Sequence, residues 1–297
     1  MTLAIWTQWD DLEVPAGFEK LSPKNFPLDD SDLSKIDFYV PTYMSGKVGL
    51  EYTRQMKNLK YLQMPNAGFE DALPYAQSGI ILCNARGVHD ASTAELAIGL
   101  AIAARRGFAD FATAQQRGEW AHRRYQSLND SKIAIIGAGS IGNMLSHYLS
   151  VYDVEISSFS RSGSNGSSKI SEFDNQISKF DVIFLILPLN EDSRNFIDTS
   201  RLKAMKQGAT LVNVARGAIV NTDALVEALN SGHINAGLDV TEPEPLPAGH
   251  ALWSARNCVI SPHVGGDSTA FDSRCKKLVQ EQLIRLANNL ELINIVN

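Results

Sequence analysis

Cysteine is scarce in this sequence: Cys83, Cys258 and Cys275 are the only three in 297 residues. An odd number without zinc-ligand spacing excludes a disulfide scaffold and fits free thiols in a reducing, cytoplasmic compartment. Long apolar runs are also missing. The longest, residues 96–104, falls far short of the ~20 residues a membrane helix needs, so no membrane partner is expected. The opening MTLAIWTQWDDLEV lacks a basic segment followed by a long apolar one, and no secretory leader is expected. Positive charge is in deficit, with 27 Lys and Arg against 33 Asp and Glu. The resulting field repels phosphate backbones and argues against a nucleic-acid partner. The six histidines, at 89, 122, 147, 233, 250 and 263, show no ligand spacing, so no metal is expected.

What is there is an ordinary globular composition, 44% hydrophobic, in a chain long enough for two domains of ~100–200 residues each. From residue 132 onward, short apolar runs alternate with helical patterns. KIAII (132–136), VEISSF (154–159), DVIFLIL (181–187), ATLVNV (209–214), INAGLDV (234–240) and NCVIS (257–261) read as strands. Residues 140–149, 198–205 and 221–230 read as helices. Apolar strands alternating with helices imply a parallel sheet covered on both faces. LAIW (3–6), DFYV (37–40), YLQM (61–64) and IILC (80–83) repeat the pattern more faintly. The expected fold is α/β, with two Rossmann-like, doubly wound parallel-sheet domains and a cleft between them. The expected division is 96–271 for one domain and 1–95 plus 272–297 for the other, which the last helix, about 268–288, rejoins.

Gly137-Ala138-Gly139-Ser140-Ile141-Gly142 matches G-x-G-x-x-G at the end of the first strong strand, with a helix opening inside it. In that context Gly137 permits the tight turn, Gly139 the approach of a pyrophosphate, and Gly142 close packing of helix on strand. The helix start, with Ser140 and Ile141, presents free N–H groups to phosphate. Asn143 and Met144 follow where a P-loop carries lysine and a hydroxyl, so an ATPase of that class is excluded. Domain 96–271 is therefore expected to bind a dinucleotide. An acidic residue usually ends the second strand and holds the ribose of NAD. Here Ser160-Arg161-Ser162 stands there instead. Arg161 can pair with a 2′-phosphate, and the serines can donate to it. NADP (as NADPH) is the expected cofactor, with NAD the second choice.

Arg216, Asp239, Glu244 and His263 fall at or just beyond the ends of three further strands. Ligands of open parallel sheets bind beyond the carboxyl ends of the strands. They stand in NVARG (213–217), GLDVTEPEPLP (237–247) and SPHVGG (261–266), which follow IAIIGAGSIG (133–142) and the Leu187-Pro188 pair. In that order and spacing the sequence resembles the D-isomer-specific 2-hydroxyacid dehydrogenase family. The Ser160–Arg161–Ser162 triplet resembles its NADPH-using glyoxylate and hydroxypyruvate reductase branch.

The resemblance implies an oxidoreductase that moves a hydride between NADP(H) and a small 2-oxo or 2-hydroxy acid of the D series. It implies that Arg216 binds the substrate's carboxylate and carbonyl, and that His263 is the acid on reduction and the base on oxidation. Glu244, rather than neighbouring Glu242, would hydrogen-bond the imidazole and raise its pKa. Leu187, Pro188, Val214, Ala215, Arg216, Asp239, His263 and Gly265 would contact the cofactor. Domain 1–95 plus 272–297 would bind substrate, with the backbone at Ala67 and Gly68 receiving its carboxylate beside Arg216 and His263. Phe69, Glu70 and the Arg86-Gly87-Val88-His89 stretch depart from the family's usual residues and leave the choice of acid open. His89 is read as structural or supporting rather than catalytic.

Residues 105–124 hold Arg105, Arg106, Arg117, Arg123, Arg124 and Trp120. They read either as a solvated helical face or, by the resemblance, as an arm that embraces the partner of a homodimer. A second functional reading is a dinucleotide-sensing binding protein or corepressor that keeps the fold. The presence of Arg216, Glu244 and His263 together argues for catalysis over that reading.

Overall fold

The computed structural model describes residues 2–21, 30–76, 79–164 and 166–297. The chain divides into two compact units, Met1–His89 with Thr269–Asn297, and Asp90–Ser268.

The first unit carries five parallel strands, β1 (Leu3–Trp6), β2 (Phe18–Leu21), β3 (Ile36–Tyr39), β4 (Tyr61–Gln63) and β5 (Ile81–Cys83), in the order β2-β1-β3-β4-β5. Two short helices, α1 (Asp30–Leu33) and α2 (Gly46–Glu51), lie between them in sequence. The order reverses between β1 and β3, the doubly wound pattern. Trp6, Tyr39 and Leu62 face one cluster, and the neighbouring Ile5, Phe38 and Val40 the other.

The second unit opens with α3 (Asp90–Arg105) and α4 (Phe108–Gln116). Then follow β6 (Lys132–Ile136), α5 (Ser140–Leu149), β7 (Glu155–Ser160), β8 (Ser168–Lys169), β9 (Val182–Leu185), α6 (Thr199–Ala204), β10 (Thr210–Asn213), α7 (Thr222–Asn230), β11 (Asn235–Leu238) and β12 (Cys258–Ile260). Its seven strands are parallel in the order β12-β11-β10-β9-β6-β7-β8, which reverses between β9 and β6. Ile133, Ile135, Val182, Phe184 and Val212 pack against α3 and α5, while Ala134, Ile136, Ile183, Leu185 and Leu211 pack with residues of α6 and α7. Burial on both faces is why these strands read as unbroken apolar runs.

The last helix, α8 (Phe271–Ala287), returns to the first unit. Phe271, Cys275, Val279 and Leu283, spaced one turn apart, join Ile5, Phe38 and Val40 in one core. Burying a Val, Leu or Phe side chain contributes roughly 1.5–3 kcal/mol, so this stripe fixes the helix to that sheet. The observed division falls at 89/90 and 268/269, a few residues before the 95/96 and 271/272 expected from the sequence.

β2 and β8 gave no signal in sequence. Both lie at sheet edges, with β8 exposed and β2 half-buried, and edge strands are short and polar because a flat apolar edge recruits other chains. Arg105 corrects the expectation of a solvated face over 105–124. It is only 6% exposed. Its guanidinium donates to the Ser127 and Asp181 carbonyls and to the Ser131 hydroxyl. A buried charge must be satisfied in this way, and here it ties the end of α3 to the loop before β6. Among the described residues no helix is long and apolar enough to cross a membrane.

Candidate active site

The carboxyl edge of the second unit's sheet gathers most of the residues singled out by sequence. β6 and β9, the strands at the reversal, lead into Gly137 and, two residues past Leu185, into Leu187-Pro188. Gly137 has φ +119°, and a Cβ there would stand 2.6 Å from the Ile186 carbonyl oxygen. Only glycine permits both the turn and that approach. Gly142 packs closely on the Gly137 carbonyl, where a Cβ would lie 2.0 Å from the oxygen. Around Gly139 a Cβ would meet nothing within 4 Å. The first intrahelical bond of α5 runs from Asn143 N–H to the Gly139 carbonyl. The N–H groups of Ser140, Ile141 and Gly142 therefore have no acceptor within the helix. Open space above free N–H groups at the positive end of a ten-residue helix fits a pyrophosphate.

β7 delivers the triplet that follows. The Ser160 hydroxyl accepts from Gly163 N–H at 3.0 Å and pairs with the Ser167 hydroxyl, and the Ser162 hydroxyl pairs with that of Ser164. The serines thus fold their own loop into a turn. Arg161 is exposed, and among the described residues its guanidinium meets no hydrogen-bond or ion-pair partner.

β10 leads into Val214, Ala215 and Arg216. Asn213, only 1% exposed, shapes this bend: its amide donates to the Arg216 carbonyl and its oxygen accepts from Ala215 N–H. The Arg216 side chain donates to the Ala215 carbonyl at 2.7 Å. A Cβ on Gly217 would sit 2.0 Å from the Thr241 carbonyl carbon and oxygen. Glycine here lets the Arg216 loop press against the loop that carries Glu244.

β11 and β12 supply the remainder. His263 Nδ1 hydrogen-bonds the Glu244 carboxylate. Glu242 makes no such bond among the described residues: it is its backbone carbonyl that takes part, accepting from the Thr222 hydroxyl. The Glu244 hydrogen bond and charge hold the His263 pKa above the ordinary imidazole value, against burial and the Arg216 charge. The same bond holds the Glu244 carboxyl below its ordinary value, with Arg216 adding to the effect. Among the described residues Nε2 of His263 has no hydrogen-bond partner, so the pair presents a protonatable nitrogen outward.

His263 has φ +55°, in the left-handed region that side-chain-bearing residues rarely enter. Such a conformation costs on the order of 1–3 kcal/mol and persists only where its surroundings impose it. Asp239, 2% exposed, does so. Its backbone carbonyl accepts from His263 N–H, and its carboxylate accepts from the Ser261 hydroxyl and from Val264 and Gly265 N–H. Asp239 therefore holds the loop that aims His263. Sequence reasoning missed this role, as it missed Asn213, because both depend on a bend made by residues beyond the strand.

Ala67 and Gly68 lie in the first unit, in the loop after β4. The Asn84 amide donates to the Ala67 carbonyl, and Phe69 N–H donates to the Glu70 carboxylate. Among the described residues no group of three His, Cys, Asp or Glu is placed to hold a metal ion.

Residues 98–265 match the family described as D-isomer specific 2-hydroxyacid dehydrogenase, NAD binding domain. An uncharacterized protein of Corynebacterium melassecola is 34% identical over 256 residues, covering 82% of this chain and 81% of that one. A glyoxylate reductase of Thermofilum pendens is 30% identical, covering 81% and 76%. The crystal structure of a D-isomer specific 2-hydroxyacid dehydrogenase family protein from Aeromonas salmonicida superposes with a TM-score of 0.86 at 25% identity. It covers all of this chain and 98% of that one.

Proposed function

Because the chain belongs to the D-isomer-specific 2-hydroxyacid dehydrogenase family, we propose that it is an NADPH-dependent reductase of small 2-oxo acids. Glyoxylate and hydroxypyruvate are the leading substrates, and a chiral product has the D configuration. The observation that carries this reading is the His263–Glu244 pair, with the Arg216 charge acting on both, on the sheet edge that also bears the Gly137–Gly142 turn.

The turn over Gly137, Gly139, Ser140, Ile141 and Gly142 receives the pyrophosphate. Leu187, Pro188, Val214, Ala215, Asp239 and Gly265 border the rest of the dinucleotide. The bound NADPH supplies the hydride for the carbonyl carbon. Arg216 orients the carboxylate and polarises the carbonyl, since its planar fork can donate to both. His263 delivers its Nε2 proton to the carbonyl oxygen, and Glu244 keeps the imidazole in that tautomer and favours its protonated form. Ala67 and Gly68 offer backbone N–H groups to the carboxylate. The exposed rings of Phe108, Phe111 and Trp120 support a homodimer formed through the segment after α3. The free thiols support a cytoplasmic location.

The test is nicotinamide absorbance with the purified protein, NADPH or NADH, and glyoxylate, hydroxypyruvate, pyruvate and larger 2-oxo acids. Faster oxidation of NADPH than NADH with one of the small acids is expected. Arg161→Ala should then raise the KM for NADPH at least about tenfold, since a charge-assisted hydrogen bond contributes roughly that much, and leave the NADH constants in place. Equal changes for both cofactors would remove the 2′-phosphate assignment.

Glu244→Gln keeps an acceptor for Nδ1 but removes the charge that raises the His263 pKa. Reduction needs protonated His263, so kcat/KM falls as pH rises through that pKa. In the variant this alkaline limb should move to lower pH. Matched pH profiles of the two proteins check it, and a limb that stays in place counts against the coupling.

A further inference from the structure

The reaction leaves one buried histidine without a task. His89 is 6% exposed and packs in a three-ring cluster, with centroids 5.5 Å from Phe271 and 5.6 Å from Tyr43. Its Nε2 lies 2.9 Å from the Pro65 carbonyl oxygen. The next two carbonyls are held as well. Ala85 N–H donates to the Asn66 carbonyl at 2.8 Å, and the Asn84 amide donates to the Ala67 carbonyl at 2.8 Å.

In a trans peptide the C=O and the following N–H point in opposite directions. The cis bonds among the described residues are at Glu242–Pro243 and Glu244–Pro245, so the 65–68 peptides are trans. Pinning the carbonyls of residues 65, 66 and 67 therefore turns the N–H groups of Asn66, Ala67 and Gly68 away from their anchors. Among the described residues none of these three N–H groups donates a hydrogen bond. Successive free N–H groups can form an anion-binding concavity where the chain turns, and the chain bends at residues 65–67.

We propose that His89 is a positioning residue for carboxylate recognition. Its Nε2–H fixes the Pro65–Asn66 peptide, and with it the first N–H of the nest. The ring cluster with Tyr43 and Phe271 fixes the imidazole. The ligand is a small carboxylate, and the proposal rests on the reading of Ala67 and Gly68 as the seat of the substrate's carboxylate.

Oxalate binding to the purified chain, measured by calorimetry, tests it independently of turnover. His89→Phe keeps a ring in the cluster and removes the donor, while His89→Gln restores an N–H donor. Oxalate affinity should fall about tenfold in His89→Phe, the loss of one hydrogen bond's worth of alignment, and recover in His89→Gln. NADPH affinity should match the wild type in both, and both variants should stay folded at the assay temperature. With glyoxylate, KM should rise about tenfold in His89→Phe while kcat holds to within about a factor of two. Equal oxalate affinity in wild type and His89→Phe overturns the proposal, as does a wild type that binds no oxalate. Losses of oxalate affinity that are matched in NADPH affinity also overturn it, because they mark general destabilisation. A wild type that binds oxalate more tightly than His89→Phe, yet reduces no 2-oxo acid, supports the role of His89 and overturns the proposed reaction alone.

Discussion

His263→Ala should lower the rate of 2-oxo acid reduction by about 10²–10⁴-fold, the usual contribution of a positioned general acid, while NADPH binds nearly as it does to the wild type. The expectation follows from the geometry. Nδ1 is engaged by Glu244, the backbone is held at φ +55° by Asp239, and Nε2 is left without a partner among the described residues. A side chain held this way serves a proton transfer better than it serves the fold. Single-turnover kinetics with saturating NADPH separates the chemical step from binding, and cofactor fluorescence reports NADPH affinity directly. Turnover at the wild-type level in His263→Ala would sink the assignment. A parallel loss of NADPH affinity would point instead to a loop that has lost its shape.

Arg216→Lys should reduce kcat/KM for the 2-oxo acid by about 10²-fold even though it keeps the charge, in the range found when one donor to a developing oxyanion is removed. An ammonium is a point donor on a flexible stem, and it cannot bond a carboxylate and a carbonyl together as a guanidinium does. The bend that presents residue 216 is built by Asn213 and by the contact of Gly217 with Thr241, neither of which the substitution touches. The charge that acts on His263 also stays, so the pH limb should keep its place. Steady-state kinetics across pH checks both parts. Wild-type kcat/KM in Arg216→Lys would show that only the charge matters at this position.

Much of the molecule can be read before it folds. β6 and α5 occupy the residues expected for them, and the other strands expected in the second unit differ by one or two residues at their ends. The reason is local: an apolar run of four to seven residues buried on both faces carries its own signature. Arg216, Glu244 and His263 can be singled out because each stands in a short motif just beyond a strand. Other features leave no such trace. β8 is two exposed residues, Ser168 and Lys169, with nothing apolar to mark them. Arg105 sits among arginines in sequence but is buried, and its partners lie 22 to 76 residues away.

The sequence by itself determined the fold class, the glycine turn, the missing acid after β7 and the motifs bearing an Arg, a Glu and a His, because all of these depend on neighbours within a few residues. Tertiary structure decided which carboxylate meets His263 across 19 residues, that Asp239 clamps the loop behind it, and that His89 reaches the Pro65 carbonyl 24 residues away. Such contacts depend on which strands lie side by side. Strand order is set by the packing of whole helices on both faces of a sheet, and no short window of residues carries it.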